Sequence, residues 1–208
     1  MKALKYSSRD EWLAARRGKI TGSRLRDIIV KRGNGRKIGF YELIAERLGI
    51  PPEEDENPME RGLRLEKEAL DRFSKTSGKK VKSELVLWTR EDNESIAVSP
   101  DGIIGPSQAV EVKCLSSARH IQAYITGKIP DEYQDQVLQY FIVNDKLKIL
   151  YVVFYDPRFA VFKKDGKSLD YFTIEVRRKS LRESIKECLE YQHNVIKEVN
   201  EIVNSLTF

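Results

Sequence analysis

Apolar positions recur at helical spacing in some parts of the chain and run together or alternate in others. Ser8 and Glu11 fit a capping box, which predicts a helix over 9–17. Apolar residues three and four positions apart predict further helices. These helices cover 21–30, 40–48, 58–76, 118–126 and 131–143, and a long one begins near Ser180 and runs to the carboxyl-terminal region.

The segments between these helices are rich in β-branched and aromatic residues, which favours strands. The predicted strands cover 81–88, 95–99, 102–104, 109–114, 149–155 and 170–176. The run ILYVVFY at 149–155 is almost entirely apolar, which is typical of a central strand covered on both faces. The pattern therefore predicts an α/β (α+β) fold in which helices flank a mixed central sheet.

The 208 residues are enough to bury one core, so we expect a single domain over 1–208. Within it the pattern separates a basic helical part at 1–50, a core at 58–177 and a C-terminal helix at 180–206. The acidic segment PPEEDENP at 51–58 forms a short surface connection between the first two.

Several kinds of chemistry are excluded by composition. Two cysteines and two histidines are too few for an iron–sulfur cluster or an all-cysteine zinc site. The basic segment at 33–37 lacks the Ser or Thr that follows the lysine of a P-loop, and no GxSxG occurs. No apolar run is long enough to span a membrane, and the first residues lack the apolar core of a secretory signal, so we expect a cytoplasmic protein.

The positive charge is concentrated in the first quarter of the chain. The net charge is +5, but residues 1–50 hold thirteen Lys and Arg against five Asp and Glu, whereas the rest holds twenty-four against twenty-seven. Such a surplus indicates a surface for a polyanion such as nucleic acid. Solvated faces of amphipathic helices explain it equally well.

Candidate chemistry is concentrated in Ser99-Pro100-Asp101-Gly102 and Glu111-Val112-Lys113. Side chains alternate along a strand, so Glu111 and Lys113 share one face, and a hairpin of this length brings Asp101 beside Glu111. Two carboxylates, assisted by the Val112 carbonyl, suit Mg²⁺ or Mn²⁺, and Lys113 would then contact the attacking water or a phosphate. An ordinary hairpin with a surface Glu–Lys pair gives the same short pattern.

Two more polar residues belong to this candidate site. Glu66 lies within the apolar stripe of the 58–76 helix, where an isolated charge is costly and a metal ligand or acid is reasonable. Gln136 lies one helical turn from Tyr133 and Tyr140 and could orient water or phosphate. Structural alternatives exist for both residues: Glu66 can extend to solvent at the edge of the stripe, and Gln136 can be a buried hydrogen-bonding side chain.

Five segments occur in the order found in one known family: EWLAARRGKITGSRL, RGLRLEKEA, SPDG with EVK, YQDQV and FYDPRF. Over residues 10 to 160 the chain resembles the lambda-type alkaline exonucleases, the YqaJ-like viral recombination nucleases of the PD-(D/E)xK superfamily. The resemblance implies the restriction-endonuclease-like core of that superfamily. It also implies that residues 1–50 bind the DNA end and that 58–177 is the catalytic core.

The resemblance assigns a role to each candidate residue. Asp101, Glu111, Glu66 and the Val112 carbonyl would bind two Mg²⁺ or Mn²⁺ ions, and Lys113 and Gln136 would complete the catalytic group. The residues implied at the 5′-terminal phosphate and along the DNA are Arg16, Thr21, Ser23, Ser99, Arg119 and Tyr133. Taken alone, Arg16 is one of several charges on an amphipathic first helix.

The activity implied is metal-dependent 5′-to-3′ exonuclease action on linear double-stranded DNA with a 5′ phosphate. It would release mononucleotides and leave a 3′ single-stranded overhang for recombination by strand annealing. The resemblance further implies a homotrimeric ring, a single-strand annealing protein as partner and the host cytosol as location. Two alternatives are a PD-(D/E)xK endonuclease and a DNA-binding module of the same fold without activity.

Overall fold

The computed structural model describes residues 37–50 and 58–206, together with Ser8, Asp10, Glu11 and Gly35. The backbone amide of Glu11 donates to Ser8 Oγ at 3.2 Å, which is the capping bond predicted for the first helix. The rest of that helix, the predicted 21–30 helix, and Arg16, Thr21 and Ser23 lie outside the described residues.

The described elements begin with α1 (Ile38–Arg47), α2 (Pro58–Ser77), β1 (Trp88–Thr89), β2 (Ala97–Val98), β3 (Gly102–Ile104) and β4 (Gln108–Lys113). They continue with α3 (Ser117–Thr126), α4 (Gln134–Val143), β5 (Ile149–Tyr155), β6 (Lys163–Lys164), β7 (Lys167–Ser168), β8 (Tyr171–Arg177) and α5 (Arg182–Leu206). Short 3₁₀ turns occupy Asp131–Tyr133, Pro157–Phe159 and Arg178–Leu181.

One mixed sheet organises the molecule, with the strand order β3-β4-β5-β8. β4 and β5 are parallel, and the other two pairs are antiparallel. The chain crosses from β4 to β5 through α3 and α4, as a parallel pair requires. β5 is an internal strand with six of its seven residues buried, which confirms the doubly covered strand predicted at 149–155.

The two faces of the sheet are covered by different helices. On one face, α2 packs Leu65 and Phe73 against Val110 and Val153. On the other face, the core joins Ala109, Val152 and Phe154 of the sheet to apolar residues of α4 and α5. Glu111 and Lys113 alternate with Val110 and Val112 and share one face, as the sequence predicts, and the structure shows that this face is the α4 side. The predicted fold class is confirmed.

The strand predicted over 81–88 is wrong for most of its length. Only Trp88 and Thr89 pair with β2, and a single bridge joins Lys82 to Ile103. Leu85 and Leu87 are exposed. The β-prone composition of this segment suits an extended surface segment as well as a paired strand, so the pattern could not separate the two.

The helix predicted over 58–76 is present as α2, and Leu70 and Phe73 of its predicted apolar stripe are buried, but Leu63 of the same stripe is not. Leu63 is 67% exposed, whereas Arg61, Leu65, Ala69 and Phe73 are buried. The guanidinium of Arg61 binds the carbonyl oxygens of Cys114 and Leu115 and the carboxylate of Asp156, so this side of the helix faces the protein interior. Glu66 consequently lies beside the buried face and is half-buried.

Gly102 lies at a position where the chain has no room for a side chain. It is the first residue of β3, directly after Asp101, and is not among the described residues with positive φ. A Cβ at this position would lie 2.5 Å from Val81 Cγ1 and 3.3 Å from Val110 Cβ. Close packing therefore accounts for the glycine.

None of the helices in the described part of the chain is both long enough and apolar enough to cross a bilayer.

Candidate active site

Asp101 is fixed by the strand next to it. The residue directly precedes β3. Because Gly102 pairs with Val110, the carboxylate of Asp101 lies beside the following residues of β4. Asp101 Oδ2 accepts a hydrogen bond of 2.7 Å from the backbone amide of Val112. Its other oxygen accepts no hydrogen bond from the residues that the structure describes. The β3–β4 hairpin thus places Asp101 beside the segment that carries Glu111 and Lys113.

Glu111 lies at the centre of a hydrogen-bond network. It is only 3% exposed, and its Oε1 accepts from Lys113 Nζ and from Gln136 Nε2, each at 2.7 Å. Its Oε2 accepts from the hydroxyl of Tyr140. A buried carboxylate is costly unless it is paired and hydrogen-bonded, and both conditions are met here.

Lys113 is held by three groups. Besides Glu111, its Nζ donates to Gln136 Oε1 at 2.6 Å and lies 4.5 Å from the ring centroid of Tyr133. An ammonium has three N–H bonds, and two of them are used within this network. The third is left for a ligand beside the site.

Glu66 contributes negative charge from the other side of the sheet. Burial, and secondarily the charge of Glu111, raises its pKa above the ordinary value. Among the described residues Glu66 has no hydrogen-bond or ion-pair partner. Burial and the charge of Glu111 also raise the pKa of Asp101, to about 7, with a smaller effect of Glu66 in the same direction. The three carboxylates are therefore close enough to repel one another.

The balance of charges in the site indicates whether its residues fit a divalent cation. Lys113 offsets part of the negative charge, and a hard cation would offset the rest, since carboxylate oxygens are the ligands that Mg²⁺ and Mn²⁺ prefer. No group of three or more His, Cys, Asp or Glu side chains in the described ranges already has the arrangement of a metal site. The donor types and their mutual repulsion fit a metal ion, although they do not form a closed cage.

A cleft of about 390 Å³ opens beside these carboxylates. One wall contains Glu66 and the segment Ser99 to Asp101, and the other is the extended segment 83–87. Ser99 is exposed there, two residues from Asp101. The cleft therefore gives a ligand access to Glu66, Asp101 and the Ser99 hydroxyl.

The other predicted residues lie at different distances from this centre. Tyr133 stacks on Lys113 and is part of the site. Arg119, on α3, pairs with Glu132 at 2.9 Å and donates to Gln122, so it is engaged locally. Of the residues implied in the pocket for the 5′-terminal phosphate, which are Arg16, Thr21, Ser23 and Ser99, only Ser99 falls within the described part of the chain.

Two residues of the site were missed by the sequence reasoning. Tyr140 was noted only as a neighbour of Gln136, although its position four residues later places it on the same helical face. Arg61 fixes the chain just after Lys113 by donating to the carbonyls of Cys114 and Leu115 at 3.2 and 2.9 Å. No periodic signal distinguishes such a buried arginine from an exposed one.

Comparison with known proteins decides the family. The sequence model of the YqaJ-like viral recombinase domain matches residues 11–146. The chain belongs to this family. Family membership confirms the predicted resemblance.

Solved structures give the same result. The chain is similar to LHK-Exo, an alkaline exonuclease from Laribacter hongkongensis, at 28% identity over 95% of this chain and 100% of that one, with a TM-score of 0.56. A second structure, of LHK-Exo in complex with dAMP, matches at 28% identity over 95% and 97% of the chains, with a TM-score of 0.58. A search of curated proteins finds no match. The relatives support the predicted exonuclease class, while the roles of the site residues stay predictions.

Proposed function

We propose that this member of the YqaJ-like family is a metal-dependent exonuclease that digests one strand of linear double-stranded DNA from its 5′-phosphorylated end. The convergence of Asp101, Glu111 and Lys113 at one end of the β3–β4 hairpin carries the proposal. Two acidic groups and one ammonium at the same point suit hydrolysis of a phosphodiester. The relatives support the exonuclease class, and the structure with dAMP contains a nucleoside monophosphate, the class of product proposed.

Asp101, Glu111 and Glu66 are the residues that would hold Mg²⁺ or Mn²⁺, with the Val112 carbonyl, as two ions by family resemblance. Such ions supply two things: they neutralise charge on the phosphate and they lower the pKa of the attacking water. The residues of the chain have the task of presenting their oxygens in a fixed arrangement.

Lys113 is the residue that supplies positive charge at the candidate site. Gln136 binds both Lys113 and Glu111, so its amide sets the ammonium at a fixed distance from the carboxylate. The remaining N–H of Lys113 can donate to a phosphate oxygen as negative charge develops on it. Tyr133 limits the movement of Lys113 on the opposite side.

Recognition of the 5′ end falls to the implied pocket of Arg16, Thr21, Ser23 and Ser99. A terminal phosphate carries more negative charge than an internal linkage, and a guanidinium with hydroxyl groups suits it. Because Ser99 and Asp101 are two residues apart, a phosphate bound at Ser99 would lie at a fixed distance from the carboxylates. Release of mononucleotides with a 5′ phosphate follows from that fixed distance.

Linear and circular duplexes test the proposal. A linear duplex with a 5′ phosphate and a separate label on each end of one strand should lose its 5′ label first in the presence of Mg²⁺. A covalently closed circle of the same sequence should stay intact, and EDTA should stop the reaction. Cleavage of the circle would favour the endonuclease alternative, and no cleavage of either substrate would favour a DNA-binding module.

The family resemblance also supports a ring-shaped homotrimer and a single-strand annealing protein as partner. Light scattering coupled to size-exclusion chromatography tests the first, with about three times the 24.1 kDa chain mass as the expected result. Co-purification with an annealing protein encoded beside the gene tests the second. A monomer at micromolar concentration would argue against the ring.

A further inference from the structure

A buried tyrosine contacts both of the segments that carry candidate metal ligands. Tyr140, on α4, has no exposed surface, and its ring packs edge-to-face on Trp88 with centroids 6.3 Å apart. The hydroxyl has one proton and two acceptors within reach, Glu111 Oε2 and the Ser99 carbonyl oxygen at 3.0 Å. The ring is thus locked by packing while its polar end lies within the site.

The two contacts lie on different parts of the site. Glu111 belongs to β4, whereas Ser99 belongs to the segment that leads into Asp101. Burial raises the pKa of Tyr140, followed by the charge and hydrogen bond of Glu111, while a hydrogen bond with the backbone of Asp101 acts in the opposite direction. The phenol therefore stays protonated and faces both ligand-bearing segments at once.

The other hydrogen-bonding partners of Glu111 do not fix the orientation of its carboxylate. Lys113 and Gln136 both bind Oε1 of Glu111, so they leave the rotation of the carboxylate about its last bond partly open. Tyr140 alone among the described residues donates to Oε2, and a carboxylate held at both oxygens has a fixed plane. A ligand whose orientation is set by a buried donor binds metal more tightly, and the loss of such a donor typically costs about 10- to 100-fold in affinity.

We propose that Tyr140 is a positioning residue that orients Glu111 and the Ser99–Asp101 segment for divalent metal binding. The inference rests on the proposed function, because it assumes that Glu111 and Asp101 are metal ligands. It adds a residue to which no role is assigned by the motifs or by the comparisons.

The test compares Tyr140→Phe with Tyr155→Phe. Tyr155 is also buried, and its hydroxyl donates to a carboxylate, Glu68 Oε2 at 3.0 Å, but Glu68 is not part of the site. Both substitutions remove one hydroxyl that donates to a carboxylate and leave the ring, so each loses one hydrogen bond of the same kind. Only Tyr140→Phe should change metal binding.

Mn²⁺ binding to the full chain without DNA is measured by titration calorimetry at pH 8. The expected result is a Kd about tenfold or more higher for Tyr140→Phe, with Tyr155→Phe equal to wild type. If Tyr140→Phe is too unstable for calorimetry, the Mn²⁺-dependent rise in Tm reports the same affinity through linkage. The half-saturating Mg²⁺ concentration for DNA digestion should move with the Mn²⁺ Kd.

Equal Mn²⁺ affinity in wild type and Tyr140→Phe would overturn the inference and leave the proposed function standing. Equal losses in Tyr140→Phe and Tyr155→Phe would also overturn it, because they would show a general effect of lost stability. A wild-type chain that binds no Mn²⁺ and digests no DNA would overturn the proposed function itself, and the inference with it.

Discussion

At the scale of single residues, the site depends on how a few charges are balanced. Glu111 is fully engaged by Lys113, Gln136 and Tyr140, whereas Asp101 is held by one backbone amide and Glu66 by no described partner. The fixed carboxylate thus lies next to two less constrained ones. Substitutions at Lys113 and Asp101 should consequently have opposite effects on the stability of the metal-free protein.

Replacing Lys113 with Met should abolish digestion. The change removes the ammonium that faces the phosphate and leaves the buried Glu111 without its counter-charge, so we expect a loss of at least about 10²-fold in kcat and some loss of stability. Digestion of a labelled linear duplex at saturating Mg²⁺ measures the first effect. Lys67→Met, on the exposed side of α2, is the control. Near-normal turnover in Lys113→Met would remove Lys113 from the proposed mechanism.

Replacing Asp101 with Asn should stabilise the metal-free protein at pH 8 while it abolishes activity. The pKa of Asp101 in the folded chain is raised from 3.8 to about 7, mainly by burial and the charge of Glu111. The folded state then holds the proton more tightly than the unfolded state, and stability falls as the pH rises from about 4 to 7. Asn keeps an acceptor for the Val112 amide without the charge, and we expect a gain on the order of 1–2 kcal/mol.

Thermal unfolding in EDTA checks this expectation for Asp101→Asn. The variant should have the higher Tm at pH 8, and its advantage should shrink at pH 5, where the wild-type carboxyl is protonated. Added Mn²⁺ should raise the Tm of the wild type but not that of the variant. A variant that is less stable than the wild type at pH 8 would contradict the repulsion described for this site.

At the scale of elements, hairpin packing decides where the carboxylates lie. The first residue of β3 has no room for a side chain, because Val81 Cγ1 lies 2.5 Å from the position of a Cβ at Gly102. The valine is β-branched and stiff, so the strand has to move instead. Asp101, one residue earlier, would move with it.

Gly102→Ala should therefore reduce stability by about 1–3 kcal/mol and reduce metal affinity as well. Gly62→Ala is a matched control, because that helical glycine has nothing within 4 Å of a Cβ and the change should stabilise α2 by about 0.5–1 kcal/mol. Denaturant unfolding and Mn²⁺ titration measure the two effects. Unchanged stability in Gly102→Ala would show that β3 accommodates the methyl group without cost.

Periodicity predicted most of these elements and failed where tertiary contacts decide. The long apolar run of β5 and the helices α2, α3 and α4 lie within a few residues of their predicted bounds, because their patterns match only one secondary structure. The 81–88 segment has the β-prone composition of a strand, yet it lies along the cleft with only a single bridge to the central sheet, which no local pattern encodes. The face of α2 depends on Arg61 reaching carbonyl groups more than fifty residues away, which a helical wheel cannot show.

More of the candidate site than of the packing around it could be predicted from the sequence. Asp101, Glu111 and Lys113 lie within thirteen residues, so strand alternation and a hairpin sufficed to bring them together. Gln136 was placed by its helix and by resemblance to the family. The role of Tyr140 could not be predicted, because it depends on the crossover that brings α4 over β4.

At the scale of the whole molecule, a buried histidine makes stability depend on pH. His120 Nε2 lies 2.8 Å from the Leu169 carbonyl oxygen, which can only accept, so this nitrogen carries the proton. The ring stacks on Phe159 with centroids 5.0 Å apart, and Nδ1 has no partner among the described residues. Burial lowers the pKa of His120 below its ordinary value.

Because the pKa of His120 is lower in the folded chain, the residue contributes to stability at pH values above its unfolded pKa of about 6.5. This contribution is lost as the pH falls from that value through the lower pKa of the folded chain. Tm should therefore drop between pH 7 and pH 5 more in the wild type than in His120→Gln, after allowance for the lower stability of the variant at pH 7. His193, on the exposed surface of α5, supplies the control substitution His193→Gln. Identical pH profiles for the wild type and His120→Gln would show that His120 does not titrate differently on folding.

The basic first quarter of the chain should act on substrate ends rather than on stability. By family resemblance Arg16 binds the 5′ phosphate, so Arg16→Ala should slow digestion of 5′-phosphorylated duplexes selectively, by about tenfold or more. The same duplex with a 5′ hydroxyl is the internal control. An equal loss on both substrates would assign Arg16 another role.

The position of β3 at one edge of the sheet has a practical consequence for repeated cleavage. In the described part of the chain, Glu66 of α2 and Asp101 line an open surface cleft whose other wall is the extended segment 83–87. A polymer at such a margin can advance by one unit after each cut without leaving the cleft. The speed of successive cuts would then be limited by sliding and hydrolysis.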